Sequence, residues 1–169
     1  MSGKASSRHW RVRKAVTADR AFLEKLASRL TIGIAPWLDA DRMRETMRGF
    51  LLGDLERTDA DSVMLVAEAP DGASVGVVAV ARGKHFTGVE HAYIGELAVI
   101  AQVEGQGVGA ALLSAAEAWA CERGLGTITL DTGAANSRAR EFYAGRGYAE
   151  ESVRLVKVLD MPCAERQIM

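Results

Sequence analysis

A chain of 169 residues with 49% hydrophobic and 25% charged residues has the make-up of one compact globular domain, far from the composition of disordered chains. Its 21 Lys and Arg against 22 Asp and Glu leave a formal net charge of −1, which argues against a surface built to grip a phosphodiester backbone, a local basic patch aside. No run reaches the roughly 18 apolar residues that span a bilayer, and the opening MSGKASSRHW lacks the apolar centre of a signal peptide, so a cytoplasmic protein without membrane or nucleic-acid partners is expected.

Residues 1–9 read as a polar, flexible tail and residues 161–169 as a second one, with a single domain over residues 10–160. Residues 10–15 (WRVRKA) alternate as a half-exposed strand does. Thr17 then caps a helix to about Leu30, with Phe22, Leu23, Leu26 and Leu30 on one stripe. Residues 31–38 (TIGIAPWL) form an apolar loop, and Asp39 opens a second helix whose Met43, Met47, Phe50 and Leu51 share a face. Two strand-like runs, residues 62–69 and 75–82, flank Pro70, Asp71 and Gly72, where Pro presets φ and Gly accepts φ > 0, so they pair as an antiparallel hairpin. A loop at residues 83–90 leads to the run HAYIGELAV at residues 91–99. A long helix from about Gln106 to Arg123 ends at Gly124, with Trp119 continuing the core stripe of Val108, Leu112 and Ala115. A short strand at residues 127–131, a helix capped by Asn136 or Ser137, and a final strand at residues 153–159 complete the order. Cys121 and Cys163 lack metal or redox spacing and are expected as free thiols, and His9, His85 and His91 form no metal-ligand pattern.

The chemistry concentrates at Glu104-Gly105-Gln106-Gly107-Val108-Gly109-Ala110, between a strand and a helix. Alternating glycines let the backbone turn sharply and aim several N–H groups at one point, where the helix dipole also favours negative charge; a pyrophosphate suits such a turn. A P-loop is excluded by the missing Gly-Lys-Ser/Thr ending. Gly105-x-Gly107-x-x-Ala110 also fits a dinucleotide fingerprint, with Asp131 as the ribose-binding acid. Against that reading, residues 100–104 separate the strand from the first glycine, and too little chain follows Asp131 for further parallel layers.

Two blocks in order resemble the GNAT superfamily of acetyl-CoA-dependent N-acetyltransferases. Leu97-Ala98-Val99, a connector and the turn at residues 104–109 are similar to its strand and (Q/R)-x-x-G-x-(G/A) signature; Asn136, Tyr143 and Gly147-Tyr148 are similar to its second block. Glu104 stands where that family usually has Gln or Arg, and Ala101 where a Pro is common. An acid beside a pyrophosphate is unhelpful unless it points away, which leaves the phosphates to backbone N–H groups and implies modestly weaker cofactor binding.

The resemblance implies an α/β (α+β) fold: a mixed, mostly antiparallel central sheet with splayed central strands flanked by helices. It implies acetyl-CoA as co-substrate, without a metal, bound by Leu97, Ala98 and Val99 through a bulged strand, by Gly105, Gln106, Gly107, Val108, Gly109 and Ala110 at the turn, and by Asn136 and Tyr143. The acetyl group would pass directly to a primary amine. That amine reaches the enzyme protonated and must lose a proton, and Glu96, the single carboxylate in residues 93–99, is the candidate base; attraction of a cationic substrate is its other reading. By alternation it faces away from Leu97 and Val99. Tyr143 is the candidate acid for the leaving thiolate, with core packing beside Phe142 as the bland alternative. Arg138 and Arg140 either reach the cofactor phosphates or are solvated helix charges. Trp37 and Phe86 are expected to wall the acceptor pocket. The acceptor reads as a small molecule, such as an aminoglycoside, polyamine or amino acid derivative, with a protein lysine or N-terminus as the alternative and a non-catalytic acyl-CoA-binding module as the competing class. A homodimer through the end strand is open.

Overall fold

The structure, a computed structural model, describes residues 10–57 and 59–159. Five strands form one sheet in chain order: β1 (Arg11–Lys14), β2 (Ser62–Glu68), β3 (Ser74–Lys84), β4 (Glu90–Val99) and β5 (Ile128–Leu130). The first four pair antiparallel and β5 joins β4 in parallel, which gives the mixed, mostly antiparallel sheet expected and leaves no room for a doubly wound dinucleotide fold. The β2–β3 turn forms as expected: Gly72 adopts φ +85° and its N–H donates to the Ala69 carbonyl (2.9 Å).

Helices cover both faces, so the central β3 is buried almost continuously, from Val75 to Val80, where a half-covered strand would alternate. One face packs on α3 (Val108–Glu122), whose Val108, Leu112, Leu113, Ala116 and Trp119 meet Val78, Val80, Ala92 and Ile94. The other packs on α1 (Arg20–Leu26) and α2 (Ala40–Glu56), where Leu23, Leu26 and Leu51 meet Met64, Val66, Val77, Ala79 and Ala98. A short α4 (Ser137–Ala144) follows β5.

Three local expectations change. The helix expected from Thr17 to Leu30 is α-helical at Arg20–Leu26 alone, between 3-10 turns at Thr17–Asp19 and Ala27–Thr31. Thr17 does not cap it, because Val16 holds the cap position and donates its N–H to the Asp19 carboxylate (2.8 Å). The loop expected at residues 83–90 shrinks, because β3 runs on to Lys84 and pairs there with Glu90. The final strand at residues 153–159 is absent: the segment forms no strand and Leu155 is 89% exposed, β5 offering an edge of only three residues. Cys121 is a free, exposed thiol; Cys163, His9 and both expected tails lie outside the described residues.

Asp19, 5% exposed, ties three elements together. Its carboxylate accepts two bonds from the Arg13 guanidinium of β1 (2.7 and 2.9 Å) and one from the Ser74 hydroxyl at the start of β3 (3.0 Å). Those donors, Arg13 foremost, hold its carboxyl below the usual aspartate range. Asp19→Ala leaves Arg13 to Glu68 alone and takes the acceptor from the Val16 N–H and the Ser74 hydroxyl, and is expected to cost about 2 kcal/mol, read as a lower denaturation midpoint at unchanged slope. A midpoint within experimental error of wild type would show the network to be dispensable.

Candidate functional site

The site grows from an irregularity in β4. Ala79 pairs with Glu96 but its neighbour Val80 pairs with Ile94, so Gly95 is an extra residue, the bulge expected in this strand. The extra residue reverses the alternation of side chains. Ala92 and Ile94 face the α3 core, whereas Glu96 and Ala98 turn to the α2 side and Leu97 packs toward α3. On the other edge, β5 pairs with β4 only from Ala92 to Ile94. Beyond that point the two strands part, and the β4 backbone from Glu96 onward has no strand partner on that side.

A cavity of about 730 Å³ opens at the parting. Met47, Phe50 and Asp54 of α2, Tyr93, Glu96 and Leu97 of β4, and Asn136 and Tyr143 of the β5–α4 side line it. Gly49 and Gly53 lie on its α2 wall, and a Cβ at either would meet nothing within 4 Å. Glu96 is 6% exposed and its Oε2 has no hydrogen-bond partner. Burial, and then contact with the Asp54 carboxylate, push the Glu96 carboxyl up to about 8, with the Arg57 charge opposing. Tyr143 lies edge-on to Phe142 (5.2 Å between ring centres) and against Tyr148 (5.7 Å), and burial raises its hydroxyl above the usual tyrosine range. At the next position along the wall, the Tyr93 hydroxyl donates to Asp131 (3.1 Å).

The glycine-rich turn lies at the end of β4. Gly105 and Gly107 take φ of +73° and +88°, and the N–H groups of Val108, Gly109 and Ala110 precede the first intrahelical bond of α3, from Ala111 to Gly107. Gln106 is bound into the fold instead: its N–H donates to the Val103 carbonyl (3.2 Å) and its carbonyl accepts from the Trp10 indole (2.8 Å). Glu104 points to two cations, Arg29 and Arg138, which neutralise it beside the turn. Arg29 also donates to the Val99 carbonyl (3.2 Å). Asn136 caps α4 through Ala139 N–H (3.1 Å) and donates to the Ile32 carbonyl (3.3 Å), so both ends of its amide are engaged within the protein. Arg140 pairs with Glu150.

Thus Glu96, Leu97, Asn136 and Tyr143 converge on one cavity, and the turn adjoins it through β4. Trp37 and Phe86 do not line it. Phe86 is 93% exposed at the tip of the β3–β4 hairpin, carried outward by the longer pairing of those strands, and Trp37 is half-exposed. The walls on that side are Met47 and Phe50. Sequence reasoning also missed Asp54, Tyr93 and Asp131 as lining groups; the Gly95 between Tyr93 and Glu96, a residue type that marks bulges inside strands, was the available signal for Tyr93. Among the described residues no group of three or more His, Cys, Asp or Glu is placed to hold a metal ion, and no helix is long and apolar enough to cross a membrane.

Residues 18–148, which span the bulge, the parting of the sheet and the glycine-rich helix start, fit the acetyltransferase (GNAT) family. The chain belongs to the GNAT family of acetyltransferases. It is 32% identical over 149 residues to an aminoglycoside N(6')-acetyltransferase type 1 of Stenotrophomonas maltophilia, covering 86% of this chain and 89% of the relative. A second protein of that name, from Klebsiella aerogenes, is 34% identical over 107 residues, covering 60% and 66%. Among solved structures, the ribosomal-protein-alanine N-acetyltransferase of Brucella melitensis superposes with a TM-score of 0.64 at 17% identity, over 89% of this chain and all of that one. The last likeness speaks for the fold alone.

The family uses acetyl-CoA, and the residues present fit it: open space over the left-handed Gly105, unengaged helix-start N–H groups, a neutralised Glu104 and an unpaired β4 edge suit an anionic headgroup followed by an amide-bearing arm. Two tests follow from this geometry. Glu104→Gln releases Arg29 and Arg138 toward the phosphates and is expected to tighten acetyl-CoA binding about threefold at low salt, by titration calorimetry; an unchanged dissociation constant would mean that the ion pairs had already cancelled the acid. The second test concerns stability. The folded chain holds the Glu96 proton more tightly than the unfolded chain, so its stabilising contribution is complete below the ordinary glutamate range and is lost as pH rises through about 8. Relative to Glu96→Gln, wild-type denaturation midpoints should therefore fall over that interval, and parallel curves would contradict the shift.

Proposed function

We propose that this acetyltransferase, with residues 10–160 as its single catalytic domain, moves the acetyl group of acetyl-CoA directly to a primary amine of a small molecule. The observation that carries the reading is Glu96: a buried carboxyl with one unpartnered oxygen, at the point where β4 and β5 separate, facing a cavity. A base that titrates near neutrality is matched to deprotonating an alkyl ammonium. The two curated relatives named as aminoglycoside acetyltransferases, at 32% and 34% identity, support a small-molecule acceptor.

Acetyl-CoA, when bound, supplies the activated thioester. The free β4 backbone groups of Leu97 and Ala98 align its arm, and the N–H groups of Gly107, Val108, Gly109 and Ala110 receive its phosphates, with Gly105 and Gln106 shaping the turn. Asn136 holds the start of α4 against Ile32 at the cavity wall. Glu96 takes a proton from the acceptor's ammonium, freeing the nitrogen lone pair. The Tyr143 hydroxyl, which burial keeps protonated, gives its proton to the departing sulfur. Cys121 does not line the cavity, which agrees with transfer without a covalent enzyme intermediate.

A thiol-release assay across aminoglycosides, polyamines, amino acid amides and lysine peptides tests the reading. Turnover is expected with a small amine, falling at least about a hundredfold in Glu96→Gln and about tenfold in Tyr143→Phe. Turnover of peptides alone would move the acceptor to proteins, and a thermal shift with acetyl-CoA but no thiol release with any amine would leave a binding module.

A further inference from the structure

The wall that faces Glu96 belongs to α2, and it carries a second acid that the mechanism above does not use. Asp54 lines the same cavity and lies against Glu96, acting on it by contact and by charge. Its other neighbour is Arg57, whose Nη1 stands 3.4 Å from Asp54 Oδ1 and whose Nε is shared with Asp59 (3.7 Å). Arg57 therefore fixes the Asp54 carboxylate from the rim while Glu96 meets it from within. On the cavity side the pair has no such partner: Glu96 Oε2 has no hydrogen-bond donor. The remaining charged or titratable groups of the lining are Arg29, Tyr93, Asp131 and Tyr143, and Asp131 is occupied by the Tyr93 hydroxyl.

We propose that Asp54 and Glu96 together form the binding site for the acceptor's ammonium group, with Asp54 the positioning residue that makes the enzyme select amines arriving as cations. This rests on the amine-acetylating reading above and adds a residue and a selection rule to it. An ammonium ion between the two carboxyls supplies the N–H donor that Glu96 Oε2 lacks and a positive charge on the cavity side of Asp54, opposite Arg57. As it enters, Glu96 gives its own proton to solvent. The ammonium then passes one proton to Glu96, the neutral nitrogen bonds to the acetyl carbon as the carbon–sulfur bond breaks, and the sulfur takes the Tyr143 proton. The amide nitrogen's second proton returns through solvent to Tyr143, so the sum is amide, CoA thiol and one released proton. Gly49 and Gly53, on the same wall as Asp54, leave space for the carbon skeleton behind that ammonium.

The decisive measurement is titration calorimetry of spermidine, and of trifluoroethylamine, an amine uncharged near pH 7, into wild type, Asp54→Asn and Asp54→Glu saturated with CoA. Asp54→Asn is expected to weaken spermidine at least about tenfold, to leave trifluoroethylamine and CoA within about twofold, and to be rescued by Asp54→Glu. In turnover, the acidic limb of kcat/KM for a cationic acceptor should move to lower pH in Asp54→Asn. Equal losses for both amines, an unmoved limb, or no spermidine binding by wild type overturns the role of Asp54. Failure of wild type to release thiol with any amine overturns the acetylation reading instead, and the binding comparison still decides the ammonium site. If Asp54→Asn does not fold, the same comparison is made with Asp54→Ser, and a selective loss of spermidine is again the supporting result.

Discussion

One inserted residue sets the geometry on which the rest depends. Were Gly95 paired in the ladder like its neighbours, strict alternation along β4 would place Ala92, Ile94, Glu96 and Ala98 on one face, and Glu96 would share the α3 core with Ile94 and Leu112. A carboxyl there would have no water-filled space to face, and α3 could not close on the sheet. The bulge lets β4 serve two masters in succession: its first half packs under α3, its second half turns an acid toward α2. The parting from β5 begins at the same place, directly after Ile94 pairs with Leu130, so the strand that turns Glu96 outward also bares its own backbone. Side chain and main chain thus become available together, at one height in the sheet.

Electrostatics around this opening divide along the same line. At the outer end, Glu104 sits between Arg29 and Arg138, drawn from opposite sides of the cleft, and the turn keeps a positive balance despite carrying an acid. Arg29 reaches the Val99 carbonyl as well, which fastens the 3-10 turn after α1 to the end of β4. At the inner end the balance is negative: Glu96 and Asp54 face each other, with Arg57 at the rim and Asp131 bonded to Tyr93. A turn of positive balance therefore adjoins, along β4, a cavity whose lining carries the opposing acids, and the two ends of the strand differ in electrostatic character.

Much of this was legible because the signals were local. The Pro-Asp-Gly turn, the Asn136 cap, the glycines at φ > 0 and the Leu97–Val99 run each encode their structure within a few residues. Alternation counted from Leu97 and Val99, on the same side of the bulge as Glu96, gives its observed direction; counted from Ile94, the same rule gives the wrong face. What was hidden depends on elements distant in sequence. Asp54 looks like any solvated helix acid until α2 is laid across the end of β4. Phe86 and Trp37 look like pocket walls because they are apolar residues in loops, yet the β3–β4 pairing lifts Phe86 clear of the sheet. The run at residues 153–159 has the composition of a strand and lacks an edge long enough to receive it.

The two glycines of α2 set the helix against the cavity it walls. Gly in a helix interior costs about 1 kcal/mol relative to Ala, and neither Gly49 nor Gly53 is needed for a positive φ or a close backbone approach. A methyl group at either position would strengthen the helix while shortening the room above it. Helix strength and the volume of the cavity therefore pull against each other along a single helix face, and bare glycines keep the cavity wide at the expense of a softer helix.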